Sequence, residues 1–338
     1  MKDLRITRRE ALRIVGGAGL VVASGGVGTL LEACGGAPPP VTPSAADVSS
    51  LYAAAKKEGK LVWWTGQFEL TQAQAVVDAF KSKFPGVDVE LLRQTSQVIY
   101  TRTVQDFKNG ANTVDVVGTA DEANFAALKA SGALAIYKPP DVDLLPKQFQ
   151  GIDKDDTYFT SALGLVVVNY NTKLVTDPPK NWTDLINSKW KDKITLGHPG
   201  FSGYVGSWVV AVNDKYGWSY FQDLAKLNPK IGRSINDTLP DLISGERQVG
   251  SGSDAVTHAR KATGVPVDSR YPDDFTVLIV GPSAVLKNAP HPNAARLFQN
   301  FAFSNEYSQV LSDTYQPPIR TDVKSKSGIT LDLSLIHI

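Results

Sequence analysis

The chain has one cysteine in 338 residues, Cys34. A single thiol excludes an internal disulfide, and with no second cysteine or clustered histidine beside it there is no zinc-type site at that place. Histidine is scarce too: the four stand at 198, 258, 291 and 337, with no triad suggested by their spacing. Neither sign of charge dominates. Thirty-five Lys+Arg against 34 Asp+Glu leave a formal charge of +1, and no basic stripe is present, which argues against nucleic acid as a partner. No repeat with a period of 20 to 50 residues is found. HExxH, a P-loop and G-x-S-x-G are all missing, since Gly200-Phe-Ser202-Gly-Tyr204 lacks the final glycine. Gly17-Ala-Gly19 lies in the N-terminal apolar segment and is no dinucleotide fingerprint. No motif calls for a cofactor, and the expectation is that the protein is not an enzyme.

The N-terminal segment reads as an address. Thr7-Arg8-Arg9 is followed by an apolar run from Ile14 to Leu31, diluted by Gly16, Gly17, Gly19, Gly25, Gly26 and Gly28. A positive start, a soft apolar stretch and small residues before a cut site make an export signal, and the arginine pair points to the twin-arginine route. The competing reading is a transmembrane helix, for which the run is just long enough. Six glycines, each about 1 kcal/mol worse than alanine in a helix, weigh against it. Leu31-Glu32-Ala33-Cys34 resembles the lipobox of bacterial lipoproteins, with Glu32 where a small or apolar residue is usual. The competing reading of Cys34 is a structural or incidental thiol. Residues 1–33 are therefore expected to be a lipoprotein leader and Cys34 the lipidated first residue of the mature chain. Residues 34–50, beginning Gly-Gly-Ala-Pro-Pro-Pro, are expected to form a flexible tether.

From Leu51 onward the composition is that of a globular protein, 42% hydrophobic and 20% charged over the whole chain. Some 290 residues exceed what one core usually covers, so two lobes are expected. Leu61–Thr65, Val87–Leu92 and Val114–Val117 read as strands, and 70–84, 98–107 and 122–130 as helices. This alternation predicts an α/β fold with a mainly parallel sheet. Ligands bind such sheets at the carboxyl ends of the strands. The residues to watch there are Thr65-Gly66-Gln67, Thr95-Ser96-Gln97 and Thr119-Ala120-Asp121. Further on, strands are expected at 163–170, 194–196 and 276–280, and helices at 203–216, 218–227, 239–245 and 293–303. The last residues, 331–338, fit nothing before them and read as a scar rather than native sequence.

Leu61-Val-Trp-Trp-Thr-Gly-Gln67, Leu165-Val-Val-Val-Asn-Tyr-Asn-Thr-Lys173, Asp241-Leu-Ile-Ser-Gly-Glu246 and above all Asn181-Trp182-Thr-Asp-Leu185 with Lys189-Trp190-Lys-Asp-Lys-Ile194 carry a resemblance. Over roughly residues 52–323 the chain resembles the extracytoplasmic solute-binding proteins of ABC importers, on the branch containing the ferric-iron binders. The resemblance implies a type II periplasmic-binding-protein fold, in which two lobes joined by two crossing strands close on a ligand. The crossings are placed near Leu163–Asn169 and Thr276–Gly281. Lobe 1 is expected to hold 51–163 and 276–303, and lobe 2 to hold 164–275 and 304–330. Implied partners are a permease, its ATPase and a small solute, with the protein acting as a monomer.

The resemblance also implies a ligand site, with departures. Iron-binding members carry two adjacent tyrosines, whose phenolates suit a hard cation. The matching positions here are Ala255 and Val256, which cannot ligate. An unconventional Fe(III) set of Glu69, Asp121 and His258 is one reading of the ligand. The other is a small organic anion such as a phosphonate, phosphate ester or carboxylate. For it the expected site is Thr65, Gly66, Gln67, Ser96, Asp121, Ser202, Gly203, Tyr204, Asn236 and Ser253, with Arg233 and Arg260 as sources of charge. Taken singly, Ser202, Asn236 and Ser253 have a plainer reading as helix N-caps. Trp63, Trp64 and Phe68 read as core or as an apolar wall.

Overall fold

The computed structural model describes residues 45–329 and 335–337. The export leader, Cys34 and the first part of the tether lie outside these residues. The first described element is helix α1 (Ala45–Glu58), which begins within the stretch expected to be tether and runs on into the expected lobe 1. Its alanine-rich sequence favours a helix. The helix is docked as well: Ala55 is fully buried, and the Glu58 carboxylate accepts hydrogen bonds from the backbone of Asn293 and Ala294, 2.8–3.2 Å away.

β1 (Lys60–Thr65) is buried from Leu61 to Thr65, as suits a strand covered on both faces. β2 (Asp88–Arg93) and β3 (Val116–Gly118) pair with it in parallel. Helices α2 (Leu70–Lys83), α3 (Ser96–Lys108) and α4 (Glu122–Ala130) alternate with these strands, as the sequence pattern predicts. β4 (Phe159–Asn171) is a long buried strand that leaves this lobe. In the second lobe lie β5 (Ile194–Leu196), α5 (Gly203–Tyr216), α6 (Trp218–Lys226), β6 (Lys230–Ile231), α7 (Thr238–Ser244), β7 (Val249–Ser253), α8 (Asp254–Lys261) and β8 (Val267–Arg270). β9 (Thr276–Val285) brings the chain back, and α9 (Pro292–Phe301) and α10 (Asn305–Asp313) follow.

The strand order is β2-β1-β3-β9-β4-β7-β5-β6. Strands inside each lobe are parallel, whereas β4 and β9, the two crossings, lie side by side and antiparallel. The sheet is therefore mixed at its centre and parallel toward its edges. β10 (Leu335–His337), in the tail expected to fit nothing, pairs in parallel with Thr276–Leu278 of β9.

Each lobe has its own aromatic core. In lobe 1 Phe298 lies 4.9 Å from Trp63 and 5.2 Å from Phe80, ring to ring. In lobe 2 Trp182 packs 5.5 Å from Trp208 and 6.2 Å from Phe275. Such pairs contribute about 0.5–1.5 kcal/mol each beyond their buried area. One expected boundary needs correction. Residues 304–329 do not belong to lobe 2: Tyr307, Leu311 and Ile319 are buried in the cluster of Trp63 and Phe80, and the Tyr307 hydroxyl donates to the Ser161 carbonyl, 2.9 Å away. An amphipathic helix looks the same in sequence whichever lobe it covers, and α10 covers lobe 1. The core of lobe 2, around Trp182 and Trp208, is drawn mainly from the stretch between the crossings, with Val277 and Ile279 of β9 joining it.

Candidate functional site

The lobes meet over a small polar cavity of about 20 Å³, room for about one water. Lobe 1 supplies the loop after β1, the end of β2, the start of α3 and, from far along the chain, Gln316. Lobe 2 supplies the starts of α5 and α8 and the turn before α7.

Three helices begin at this cavity with hydroxyl residues in the N-cap position, Thr95 for α3, Ser202 for α5 and Ser253 for α8, and none of the three hydroxyls caps its own helix. Asp121 and Ser304, which do not line the cavity, do cap, accepting from the backbone of Ala123 and Tyr307, and so does Ser234 within the lining, accepting from Asn236. The plain N-cap reading therefore does not describe Ser202 or Ser253. Each of these helix starts presents the positive end of the helix dipole, and α3 and α5 the backbone N–H groups of their first turns, a setting that favours an anion; at α8 the Asp254 carboxyl already takes the Ala255 N–H.

Seven of the ten expected residues line the cavity: Gly66, Gln67, Ser96, Ser202, Tyr204, Asn236 and Ser253. Three do not. Thr65 is fully buried and its hydroxyl accepts from the Gln67 N–H at 3.2 Å, which shapes the loop. Asp121 caps α4, accepts from Gln97 at 3.2 Å, and lines a separate groove. Gly203 packs on the Ala120 carbonyl, where a Cβ would come within 2.7 Å. Gln67 reaches the cavity but its amide is committed to the fold. Its Nε2 donates to Ser161 Oγ and to the carbonyls of Gly281 and Pro282 at 2.7–3.0 Å, tying the loop to both crossing strands. Trp63 and Trp64 are core residues; Phe68 lines the cavity, with its edge to Trp63 at 6.2 Å.

Sequence reasoning missed Arg93, which among the described residues is the cation lining the cavity. Arg93, the last residue of β2, donates through Nε to the Phe68 carbonyl at 2.7 Å and forms a 3.2 Å ion pair with Glu69. As the polar end of an alternating strand it reads as surface. Arg233 is exposed and lies over the Phe201 ring instead, while Arg260 stands on a neighbouring open groove that shares Glu69, Gln72 and Val256 with the cavity. Glu69 also accepts from the Asn236 amide of the other lobe. Gln72 and Gln316 complete this side: Gln72 Oε1 accepts from the Glu69 N–H at 3.0 Å and from Gln316 Nε2 at 3.2 Å.

Behind Ser253 lies a buried carboxyl. Asp254 is fully enclosed; burial pushes it up to about 7, opposed by the backbone N–H of Ala255 and by the Tyr271 hydroxyl, 3.3 Å away. Burial also drives the Tyr204 phenol well above its ordinary range, and the nearby Asp254 charge adds to the effect, so Tyr204 is a neutral donor. Its hydroxyl fits against the bare Cα of Gly164 on β4, where a Cβ would stand 2.1 Å from the oxygen.

Glu69, Asp121 and His258 are not brought together, and among the described residues no group of three or more His, Cys, Asp or Glu side chains is placed to hold a metal ion. His258 faces Tyr271, with Nε2 3.0 Å from the hydroxyl, and burial lowers its pKa. Ala255 is fully buried and Val256 lines the cavity with an apolar side chain.

The sequence profile of bacterial extracellular solute-binding proteins matches residues 69–309, and the chain belongs to that family, the binding components of ABC importers. Family and fold are those of binding proteins rather than enzymes. Among solved structures, the chain is similar to the periplasmic binding protein AfuA of Actinobacillus pleuropneumoniae, whose structure holds fructose-6-phosphate. The TM-score is 0.75 at 22% identity, over 82% of this chain and 91% of that one. Iron-bound HitA of Pseudomonas aeruginosa aligns with a TM-score of 0.67 at 21% identity, covering 80% and 90%. A periplasmic thiamin binding protein aligns with a TM-score of 0.71 at 16% identity, covering 82% and 90%. At these identities the likeness defines the two-lobed fold. Among the described residues no helix is long and apolar enough to cross a membrane.

Proposed function

We propose that the cleft captures a small organic anion, of the phosphate ester, phosphonate or carboxylate class, and delivers it to an ABC permease driven by its ATPase. The observation that carries this reading is the set of uncommitted N-cap hydroxyls, Thr95, Ser202 and Ser253, contributed by both lobes at helix starts that line one cavity with Arg93. Fructose-6-phosphate, held by the Actinobacillus relative, belongs to the same ligand class. Fe(III) is disfavoured by the donor set: an alanine and a valine replace the paired phenolates, and the carboxylates and His258 do not converge. In this reading the protein is a monomer, exported by the twin-arginine route and held at the outer side of the cytoplasmic membrane through lipidated Cys34. The support for that anchor is the leader sequence and the Leu-Glu-Ala-Cys motif.

The test is thermal unfolding of a form starting at Val41, with phosphate esters, phosphonates, carboxylates, polyols and chelated Fe(III) with and without carbonate. A ligand at a thousand times its Kd stabilises by about 4 kcal/mol, a shift of several degrees in a chain of this size. A rise with an organic anion alone supports the reading. A rise with Fe(III) alone overturns it.

A further inference from the structure

The cavity holds acceptors that no protein group satisfies. Asn236 Oδ1 and Gln316 Oε1 are shut off from solvent without a hydrogen-bond partner, and Gln316 is only 2% exposed. The Gln316 side chain also meets the Tyr204 phenol in a hydrogen bond, while its Oε1 is left without a partner. The surrounding network fixes which end of each amide is free. Gln72 Nε2 donates to the Thr314 carbonyl at 3.1 Å, so Gln72 Oε1 faces Gln316 and must receive an N–H from it. Asn236 likewise has to turn its N–H₂ toward the Glu69 carboxylate, because the reverse orientation would set oxygen against oxygen. Both free atoms are therefore carbonyl oxygens, one on each lobe. Buried acceptors left unpaired are costly, and native structures rarely keep them without a reason.

The charge is also balanced before any ligand arrives. Among the described residues, the charged side chains lining the cavity are Arg93 and Glu69, and they pair with each other. A bare anion would find hydroxyls and helix starts, yet leave the two amide oxygens unpaired.

We propose that the ligand is an anion that also carries hydroxyl groups, and that Asn236 and Gln316 select it by accepting hydrogen bonds from those hydroxyls while Ser202, Ser253 and the helix starts take the anionic end. Hydroxyls are favoured over an ammonium because Glu69, the carboxylate in the lining that would hold a cation, is already paired with Arg93 and with the Asn236 amide. This rests on the organic-anion reading above and narrows it.

The experiment is isothermal titration of the full chain with matched triplets. In each, a phosphate, phosphonate or carboxylate carries an ethyl chain ending in methyl, hydroxyl or ammonium. The expected result is that in at least one series the hydroxyl member binds at least tenfold tighter than the methyl member, about 1.4 kcal/mol. Gln316→Leu or Asn236→Ala should bring that ratio close to one; Asn236 is half-buried at the cleft, so its variant guards against a folding failure of the first. Equal binding of methyl and hydroxyl members overturns the proposal while leaving the anion reading intact. So does a preference for ammonium, or a hydroxyl preference that survives both variants. If no triplet binds at all, the anion reading itself fails and takes this one with it.

Discussion

The Asn236 amide donates a hydrogen bond to the Glu69 carboxylate, and this bond joins lobe 2 to lobe 1 directly across the cleft. The charged partner of Glu69 is Arg93, and the Glu69 and Arg93 side chains are 29% and 23% exposed. Hydrogen bonds and ion pairs in such half-open settings are worth about 1 kcal/mol. Asn236→Ala should therefore shift the unliganded protein toward an open form and leave its unfolding temperature nearly unchanged. Small-angle scattering reads this as a larger radius of gyration. An unchanged radius in Asn236→Ala and Glu69→Ala alike would mean that other contacts hold the lobes together.

Ser202 and Ser253 cap nothing, so removing their hydroxyls should cost affinity without costing stability. A hydrogen bond to a charged group contributes about 1.5–3 kcal/mol. The double variant Ser202→Ala, Ser253→Ala should then bind an organic anion at least a hundredfold more weakly, with the same unfolding midpoint. Ser304→Ala is the contrast, because Ser304 accepts from the Tyr307 N–H, caps α10 and does not line the cavity. Its expected effect is a loss of about 1 kcal/mol of stability. Titration calorimetry and urea unfolding on the two variants separate the cases.

Gly164 and Tyr204 are matched across a crossing strand. A methyl group at Gly164 would collide with the Tyr204 hydroxyl, so Gly164→Ala should lose about 1–3 kcal/mol and displace a cavity-lining ring. Adding Tyr204→Phe removes the colliding oxygen and should recover part of the loss. Additive losses in that double-mutant cycle would show that the two residues are not coupled.

Asp254 should make stability depend on pH. Its folded pKa of about 7 lies above the ordinary value of about 3.9 for an unfolded aspartate. The stability associated with its neutral form is fully present below about pH 4 and is lost as pH rises through 7, at up to about 1.4 kcal/mol per unit. The groups facing it are the Tyr271 hydroxyl, the Tyr204 phenol and the backbone N–H groups of Ala255 and Leu165. Asp254→Asn should flatten this slope, so urea unfolding at pH 5 and pH 8 should differ less in the variant than in the parent. Equal slopes would place the acid elsewhere.

The sequence made the repeating strand and helix pattern legible because burial leaves a period in it. The helix expected at 203–216 is observed as Gly203–Tyr216, and both crossings fall where they were expected, though longer. Periodicity does not tell which surface a helix covers, which is why the sequence alone assigns α10 to the other lobe and leaves the first turns of α1 in the tether. The cavity was legible where strand ends and helix starts advertise themselves, as at Gly66, Ser96 and Ser202. Arg93 gave no such signal, and Gln316 could not: it stands 244 residues from Gln72, the side chain to which it donates. Only the folded chain brings that pair together.

Most of lobe 2 lies in one stretch between the crossings, and this fixes an order of completion. As the chain is made, that stretch emerges while lobe 1 still lacks β9, α9 and α10, and only Val277 and Ile279 of β9 remain to join the lobe 2 core. Domains generally fold as units once their residues are available. The lobe synthesised first is therefore the last to be finished, and it waits with the apolar faces of β1 and α2 uncovered until Phe298, Phe301 and Tyr307 arrive. The binding cleft is later still, because its lobe 1 wall is not complete until Gln316 has joined Gln72.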